Sequence, residues 1–485
     1  MPRSTPPTRL QAAPSTTSFD AAELVERARA DGVRFLRLQF TDILGVNKNV
    51  EVPASRFAEA LAGEVLFDGS AIEGFARAEE SDMLLRPDLA TYRVLPWGGA
   101  PARPASSNGH RPADGEDAGA EDARVARVIC DVTTTDGRAF AGDPRAVLKR
   151  QLAAAAERGY AVRANTEVEF FLFRPGPDGA VTTATHDVGG YFDLAPVDLG
   201  EDARRAMVDL LERLGVPVVG AHHEGAHGQH EIDLGDAAAL AAADHVITLR
   251  FVVKHVARRF GLVASFMPKP VFGQNGSGLH THQALVALGP DGRPGENAFA
   301  DPGAEWGLSR TALHYVGGLL RHARGMCAVT NPLVNSYKRL VPGFEAPVHV
   351  AWSLKSRTPL VRVPERRGAA TRLEVRTPDP AANPYLALAV MIAAGLDGVA
   401  TGAEWREPVA QAVDAMSWRE RRRLRIDDLP HDLNEACDEL ERDEVVRAAL
   451  GAHVTQHYLA AKRAEWREYS TQVTQWELGR YLARY

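Results

Sequence analysis

Residues 166–173 read TEVEFFLF and place two carboxylates, Glu167 and Glu169, in a run otherwise built for burial. Phe and Leu at this density suit a core strand. On a strand, positions two apart share a face, so both acids aim at one spot. Like charges that close repel, and loss of water raises the cost further. A cation would remove the difficulty. Solvated acids on a half-buried edge strand would avoid it, and the eight residues by themselves leave both readings open.

Composition narrows the setting. The chain has 485 residues, 45% of them hydrophobic and 25% charged, which is ordinary for a globular protein with a large core and two or more domains. A net charge of −7 without a sustained basic stripe speaks against nucleic acid as a partner. Cys130, Cys327 and Cys437 are odd in number and far apart, a pattern that suits a reducing cytoplasm better than a disulfide framework. No apolar run approaches the roughly 20 residues of a membrane span, so no membrane partner is expected. Residues 1–19 lack the apolar stretch of a secretory signal and read as a disordered tail.

Along the chain, FDAAELVERARADG predicts an amphipathic helix starting near Asp20 and ending at Gly32. VRFLRLQFTD then reads as a strand with VNKNVEVP as its hairpin mate. Residues 99–123, rich in Pro, Gly, Ser and Asp, read as a flexible insertion, after which ARVARVICDV resumes strand character. Residues 20–135 thus read as a small α+β domain. A second domain, 142–485, opens with Asp143 as helix N-cap and Pro144 at the first helical position. It closes on the mostly helical stretch ending in WELGRYLARY, whose aromatics suit either a core or a docking face.

Three further stretches bear on the opening pair. HHEGAHGQHE (222–231) brings Glu224 and Glu231 among histidines and glycines. NGSGLHTHQ (275–283) sets His280 and His282 on one face if extended, and TRLEVR (371–376) puts Glu374 between Arg372 and Arg376. Taken singly, the histidines suit ordinary hydrogen bonding and TRLEVR a solvated salt-bridge ladder. Together they suggest an oxygen-rich site for hard cations such as Mg²⁺ or Mn²⁺, since zinc sites bring Cys or several His. Hard cations beside arginines are the equipment of phosphoryl transfer. No GxxxxGK[ST] loop is present, so any nucleotide is held by metal and side chains.

Six stretches in the same order, FDGSAIEGFARAEESDM, GGYFDLAPVDLGEDARR, HHEGAHGQHEID, FGQNGSGLHTHQ, NPLVNSYKRLVPGFEAPVHVAWS and RLEVRTPDPAANPYLA, strongly resemble bacterial type I glutamine synthetase of the α subtype. The resemblance runs from about Asp20 to Tyr485. It implies an α+β fold, with a β-grasp-like N-terminal domain and a catalytic domain whose curved antiparallel sheet is flanked by helices. It also implies a cytoplasmic ligase that phosphorylates glutamate with ATP and lets ammonia displace the phosphate. Twelve copies would stack as two hexameric rings, joined by the C-terminal helix. Position by position, Glu169, Glu224 and Glu231 would hold one metal, and Glu167, His280 and Glu374 a second. Asn275, Gly276, Arg339 and Arg376 would bind glutamate. Arg357 and Arg362 would grip the transferring phosphate, with His282 on the nucleotide. Glu345 would close a flap over the site, and Asp68 would reach a neighbouring subunit's site to take a proton from ammonium, whose pocket Tyr191 and Glu224 line. Arg77 falls at the position linked to glutamine feedback.

The match has departures. Ala71 stands where the family has Ser in the ammonium pocket, Ala284 and Val219 alter the nucleotide side, and Gly225 and His227 replace Val and Pro beside Glu224. These motivate an alternative acceptor, an organic amine such as ethanolamine or a polyamine. A non-catalytic regulator is the third reading, disfavoured by the complete ligand set. AMSWRERRRLRIDDLP holds no Tyr, so adenylylation control is not expected.

Overall fold

The computed structural model describes residues 20–70, 72, 74, 82–97 and 124–485. The expected tail, the 99–123 insertion, Ala71 and Arg77 lie outside the described residues.

Contacts divide the chain into two compact units. Among the described residues, the first comprises 20–40, 49–67, 82–97 and 124–138. Its sheet has strands β1 (Val33–Thr41), β2 (Asn47–Pro53), β3 (Val65–Asp68), β4 (Asp82–Val94) and β5 (Arg124–Thr134), in the order β2-β1-β5-β4-β3. The hairpin mates are neighbours, as expected. At the centre β1 runs parallel to β5, while β4 and β5 are antiparallel. The helix Ala21–Ala30 forms where its caps direct it: the Asp20 side chain accepts from Glu23 N–H, and Glu23 reciprocates to the backbone of Asp20. Leu24, Val25 and Ala28 on its inner face are buried.

Among the described residues, the second unit comprises 41–48, 68–70, 72, 74 and 139–485. Its ten strands are β6 (Tyr160–Phe173), β7 (Val218–His223), β8 (Gln229–Leu234), β9 (Ala237–Ala238), β10 (Val263–Ser265), β11 (Leu279–Leu288), β12 (Pro294–Asn297), β13 (Trp352–Ser353), β14 (Val361–Arg362) and β15 (Leu373–Val375). The main path is β13-β14-β15-β11-β6-β8-β7, with β9 and β10 on β6 and β12 on β11. Pairing is antiparallel except between β13 and β14. Helix Pro144–Glu157 starts at Asp143, whose carboxylate accepts from Arg145 N–H. Helix Pro384–Thr401 is apolar enough to cross a membrane by composition. Every residue from Pro384 to Leu396 is buried, the mark of a core helix apolar on all sides.

Candidate active site

Strand β6 carries TEVEFFLF through the middle of the ten-stranded sheet, and register with its neighbours turns the two acids into part of a site. Glu167 stands opposite His280 on β11 and Asp233 on β8. Glu169 stands opposite Glu231 on β8, which faces His222 on β7. On the other flank His282 faces Glu374 of β15, and Glu374 faces Arg362 of β14. In-register residues on adjacent strands share a face and approach to about 5 Å. Six strands therefore deliver acids, imidazoles and a guanidinium to one surface.

The side chains converge. His280 Nδ1 is 3.1 Å from Glu167 Oε2 and 4.0 Å from Glu374 Oε1, and its Nε2 is 3.9 Å from Glu169 Oε1. Ligand atoms of Glu167, His280 and Glu374 all lie within 4.8 Å of one another, as do those of His222, Glu224 and Glu231. Gln229 Nε2 donates to Glu169 Oε2 (2.9 Å) and to the Gly276 carbonyl (3.1 Å), and Gly278 N–H also donates to Glu169 Oε2 (2.9 Å). A Cβ at Gly278 would come within 2.8 Å of Arg339 Nη2, 2.8 Å of His280 Nε2 and 3.1 Å of Glu169 Oε1. That glycine leaves room for three site groups to meet.

The electrostatics fit cations. Burial and the Glu224 carboxylate push Glu169 up to about 8. Burial and Glu169 push Glu231 up to about 12. Without an ion these acids hold protons because two more negative charges cannot be tolerated there. Burial also opposes ionisation of Glu167, yet His280 and His282 hold it well below the usual carboxylate range. Glu224 is likewise held down, against burial, by His222 and the Gly225 N–H. Glu374, fully buried, is clasped by Arg362 and Arg376, with Arg376 Nη1 donating at 2.5 Å. TRLEVR is thus a buried cluster, not a solvated ladder. A set of carboxylate oxygens with one imidazole per group suits Mg²⁺ or Mn²⁺.

The remaining expected residues take varied positions. Arg339 is buried and donates to the carbonyls of Thr377 (2.7 Å) and Arg376 (3.2 Å). At Gly276 a Cβ would meet Pro268 O at 2.4 Å, so only glycine fits beside Asn275. His282 is buried, its Nε2 2.7 Å from Glu167 Oε1 and its Nδ1 accepting from Arg372 Nε (3.1 Å). Arg357 is exposed and hydrogen-bonded to the half-exposed Tyr191 hydroxyl. Glu345 and Asp68 are exposed and lie outside the strand ladder; Asp68 Oδ1 accepts from Ser70 N–H at 2.8 Å. Sequence reasoning missed Gln229, Gly278, His222 and Asp233 as site residues. Only the density of His and Gly around Glu224 and Asn275 hinted at them.

Behind the same strands lies a second buried cluster, His186, Asp187, Asp198 and His230. Its acids already have partners: Arg204 Nη2 donates to Asp198 Oδ2 (2.7 Å), and His223, whose hold on a proton Asp187 strengthens against burial, lies 3.1 Å from Asp187 Oδ1. Because side chains alternate along a strand, His223 and His230 point behind the sheet while Glu231 points into the site.

Comparison with known proteins places this geometry. The family described as "Glutamine synthetase, catalytic domain" matches residues 141–481, and "Glutamine synthetase, beta-Grasp domain" matches 32–106. The glutamine synthetase of Thermus thermophilus is 53% identical over 468 residues, 96% of this chain and 100% of that one. That of Clostridium saccharobutylicum is 49% identical over 467 residues, 96% and 99% of the two chains. A solved structure titled "GmaS/ADP complex-Conformation 1" superposes with a TM-score of 0.81 at 34% identity, covering 95% of this chain and 99% of that one. A buried ladder of acids that could hold metal ions on an α+β scaffold, matched along nearly its whole length, makes the chain a member of the bacterial type I glutamine synthetase family, catalysing ATP-dependent formation of glutamine from glutamate and ammonia.

Proposed function

We propose that the acid ladder holds two divalent cations, Mg²⁺ or Mn²⁺: one on Glu169, Glu224 and Glu231, the other on Glu167, His280 and Glu374. The observation that carries this reading is the gathering of ligand atoms of Glu167, His280 and Glu374 within 4.8 Å of one another, and of Glu224 and Glu231 likewise with His222, while Glu169 stands opposite Glu231. Once bound, the cations offset the carboxylate charge and polarise phosphate oxygens. The chain's own groups do the rest. Arg339, Arg376, Asn275 and Gly276 orient glutamate so that its γ-carboxylate attacks the terminal phosphorus of ATP and ADP departs. Arg357 and Arg362 steady the charge on the transferring group, and His282 lies on the nucleotide side. Asp68 of a neighbouring copy accepts a proton from ammonium beside Tyr191 and Glu224. The freed ammonia then attacks the γ-carbonyl, the bond from that carbon to the phosphate oxygen breaks, and phosphate leaves with the second proton that the nitrogen sheds on becoming an amide. Glu345 shields the acyl phosphate from water.

Steady-state turnover with ammonium, ethanolamine and a polyamine tests the acceptor. Ammonium is expected to support the highest kcat/KM. An organic amine turning over where ammonium does not would replace the reading by that of a sister ligase.

Further proposals concern setting and control: a cytoplasmic dodecamer of two hexameric rings, inhibited by glutamine through Arg77 and free of adenylylation. Equal glutamine inhibition of wild type and Arg77→Ala would remove the role of Arg77. A nucleotidylated tyrosine found by mass spectrometry anywhere in the protein isolated from cells would overturn the last point.

A further inference from the structure

Lys269 is a buried lysine, 8% exposed, that the chemistry above does not use. Its main chain is pinned by Asn335: Lys269 N–H donates to Asn335 Oδ1 (2.7 Å), and Asn335 Nδ2 donates to Lys269 O (3.1 Å). Its ammonium donates to the carbonyl of Gln274, the residue before Asn275. The same ammonium lies 3.6 Å from the centroid of Phe344, the residue before Glu345. Gln274 Oε1 in turn accepts from His227 N–H at 2.9 Å, three residues after Glu224. One cation therefore touches the loop expected to hold glutamate and the loop carrying Glu345, and is one contact away from a metal-ligand loop.

After Glu345 the chain is anchored, since Ala346 and Val348 are buried in the hydrophobic core; before it, Phe344 is half-buried against Lys269. Among the described residues, no hydrogen bond fixes the backbone N–H groups of 343–346. Glu345 adopts φ 58, a left-handed conformation that a non-glycine residue occupies only when its surroundings enforce it. A desolvated ammonium over an aromatic face is among the stronger cation–π contacts. Burial and the facing Arg339 guanidinium push Lys269 down to about 8, which weakens its hold on the proton without neutralising it at pH 7.

We propose that Lys269 is a positioning residue that latches the Glu345 loop to the glutamate-binding loop, so that an ordered Asn275–Gly276 segment and a closed flap form together. This rests on the flap role proposed for Glu345. Without the latch, water reaches the acyl phosphate, and phosphate is released with glutamate regenerated instead of glutamine formed.

The test compares Lys269→Met, Lys269→Arg, Phe344→Leu and Phe344→Tyr in the full chain, measuring phosphate and glutamine released per ATP consumed. Lys269→Met and Phe344→Leu are expected to lose about tenfold in kcat, the scale of one buried cation–π contact. Both should release excess phosphate over glutamine while KM for ATP holds. Lys269→Arg and Phe344→Tyr should restore coupling. The double variant Lys269→Met/Phe344→Leu should be no worse than either single change. Should Lys269→Met not fold, the Phe344 pair decides alone. A wild-type phosphate-to-glutamine ratio in Phe344→Leu, or losses that multiply in the double variant, would overturn the latch. Failure of wild type to make any γ-glutamyl amide would instead overturn the flap reading beneath it.

Discussion

Glu169 and Glu231 show how a single side chain's charge state reports what the site is built to hold. Burial and the Glu224 carboxylate raise Glu169 from its ordinary 4.5 to about 8. A carboxylate whose folded pKa is raised contributes stability that is complete below the unfolded pKa and is lost as pH rises through the folded one. The ion-free protein should therefore lose thermal stability between about pH 5 and pH 8, and Mg²⁺ or Mn²⁺ should restore it by replacing the protons. The gap in thermal midpoint between EDTA-treated and metal-loaded protein should widen with pH. A constant gap would mean that Glu169 is already ionised without metal. Gly278→Ala addresses the same groups by geometry. The three atoms nearest the added methyl belong to the side chains of Arg339, His280 and Glu169 and not to backbone, so the fold should survive. Displacing them should cost about 10–100-fold in metal affinity, as disturbing supports of metal ligands typically does. Titration of metal binding checks this, and unchanged affinity would remove Gly278 from the site.

Elements explain what could and could not be read beforehand. The period of TEVEFFLF told that Glu167 and Glu169 share a face, and the Asp20 and Asp143 caps announced their helices, because each signal is local. Which strand lies opposite is not local. Glu169 meets Glu231 and Glu167 meets His280 only through long-range pairing, so the residues alone left the metal open and the resemblance supplied the ligand sets. Nor did periodicity separate His223 and His230, which serve the network behind the sheet, from His222 and His280, which face the acids. The helices Arg310–Arg321 and Pro384–Thr401 make a similar point, since their close approach depends on glycines distant in sequence. A Cβ at Gly398 would lie 2.1 Å from His314 O and 2.7 Å from Gly318 Cα, both backbone atoms that cannot swing aside. Gly398→Ala should destabilise by about 1–3 kcal/mol or more through overpacking. Denaturant unfolding measures this, and a midpoint equal to wild type would show that the helices can separate without cost.

At the scale of the whole molecule, the chain carries apolar surface that a lone copy leaves in water. Val188, Leu194 and Leu199 are 70%, 71% and 59% exposed on the loop that also bears Tyr191, and Trp476 and Leu482 are 65% and 75% exposed at the C-terminal end. Runs of this kind usually mark surfaces that another protein covers. The proposed double ring supplies a cover of the same chemistry: a second copy. The two patches should then act differently, because the 188–199 loop adjoins the site while residues 473–485 form a separate terminal segment containing the short helix Gln475–Tyr481. Deleting residues 473–485 should lower the assembly from twelve times the 52.5 kDa chain mass to six times, with the metal ladder intact. Replacing Leu194 and Leu199 by Ser should instead break the ring contacts and lower activity together with mass, if Asp68 of one copy completes the site of the next. Sedimentation velocity combined with turnover separates the cases. A truncated chain that keeps the full assembly would show that the C-terminal aromatics do not join the rings, and full turnover by a monomeric Leu194→Ser/Leu199→Ser variant would show that each chain holds a complete site.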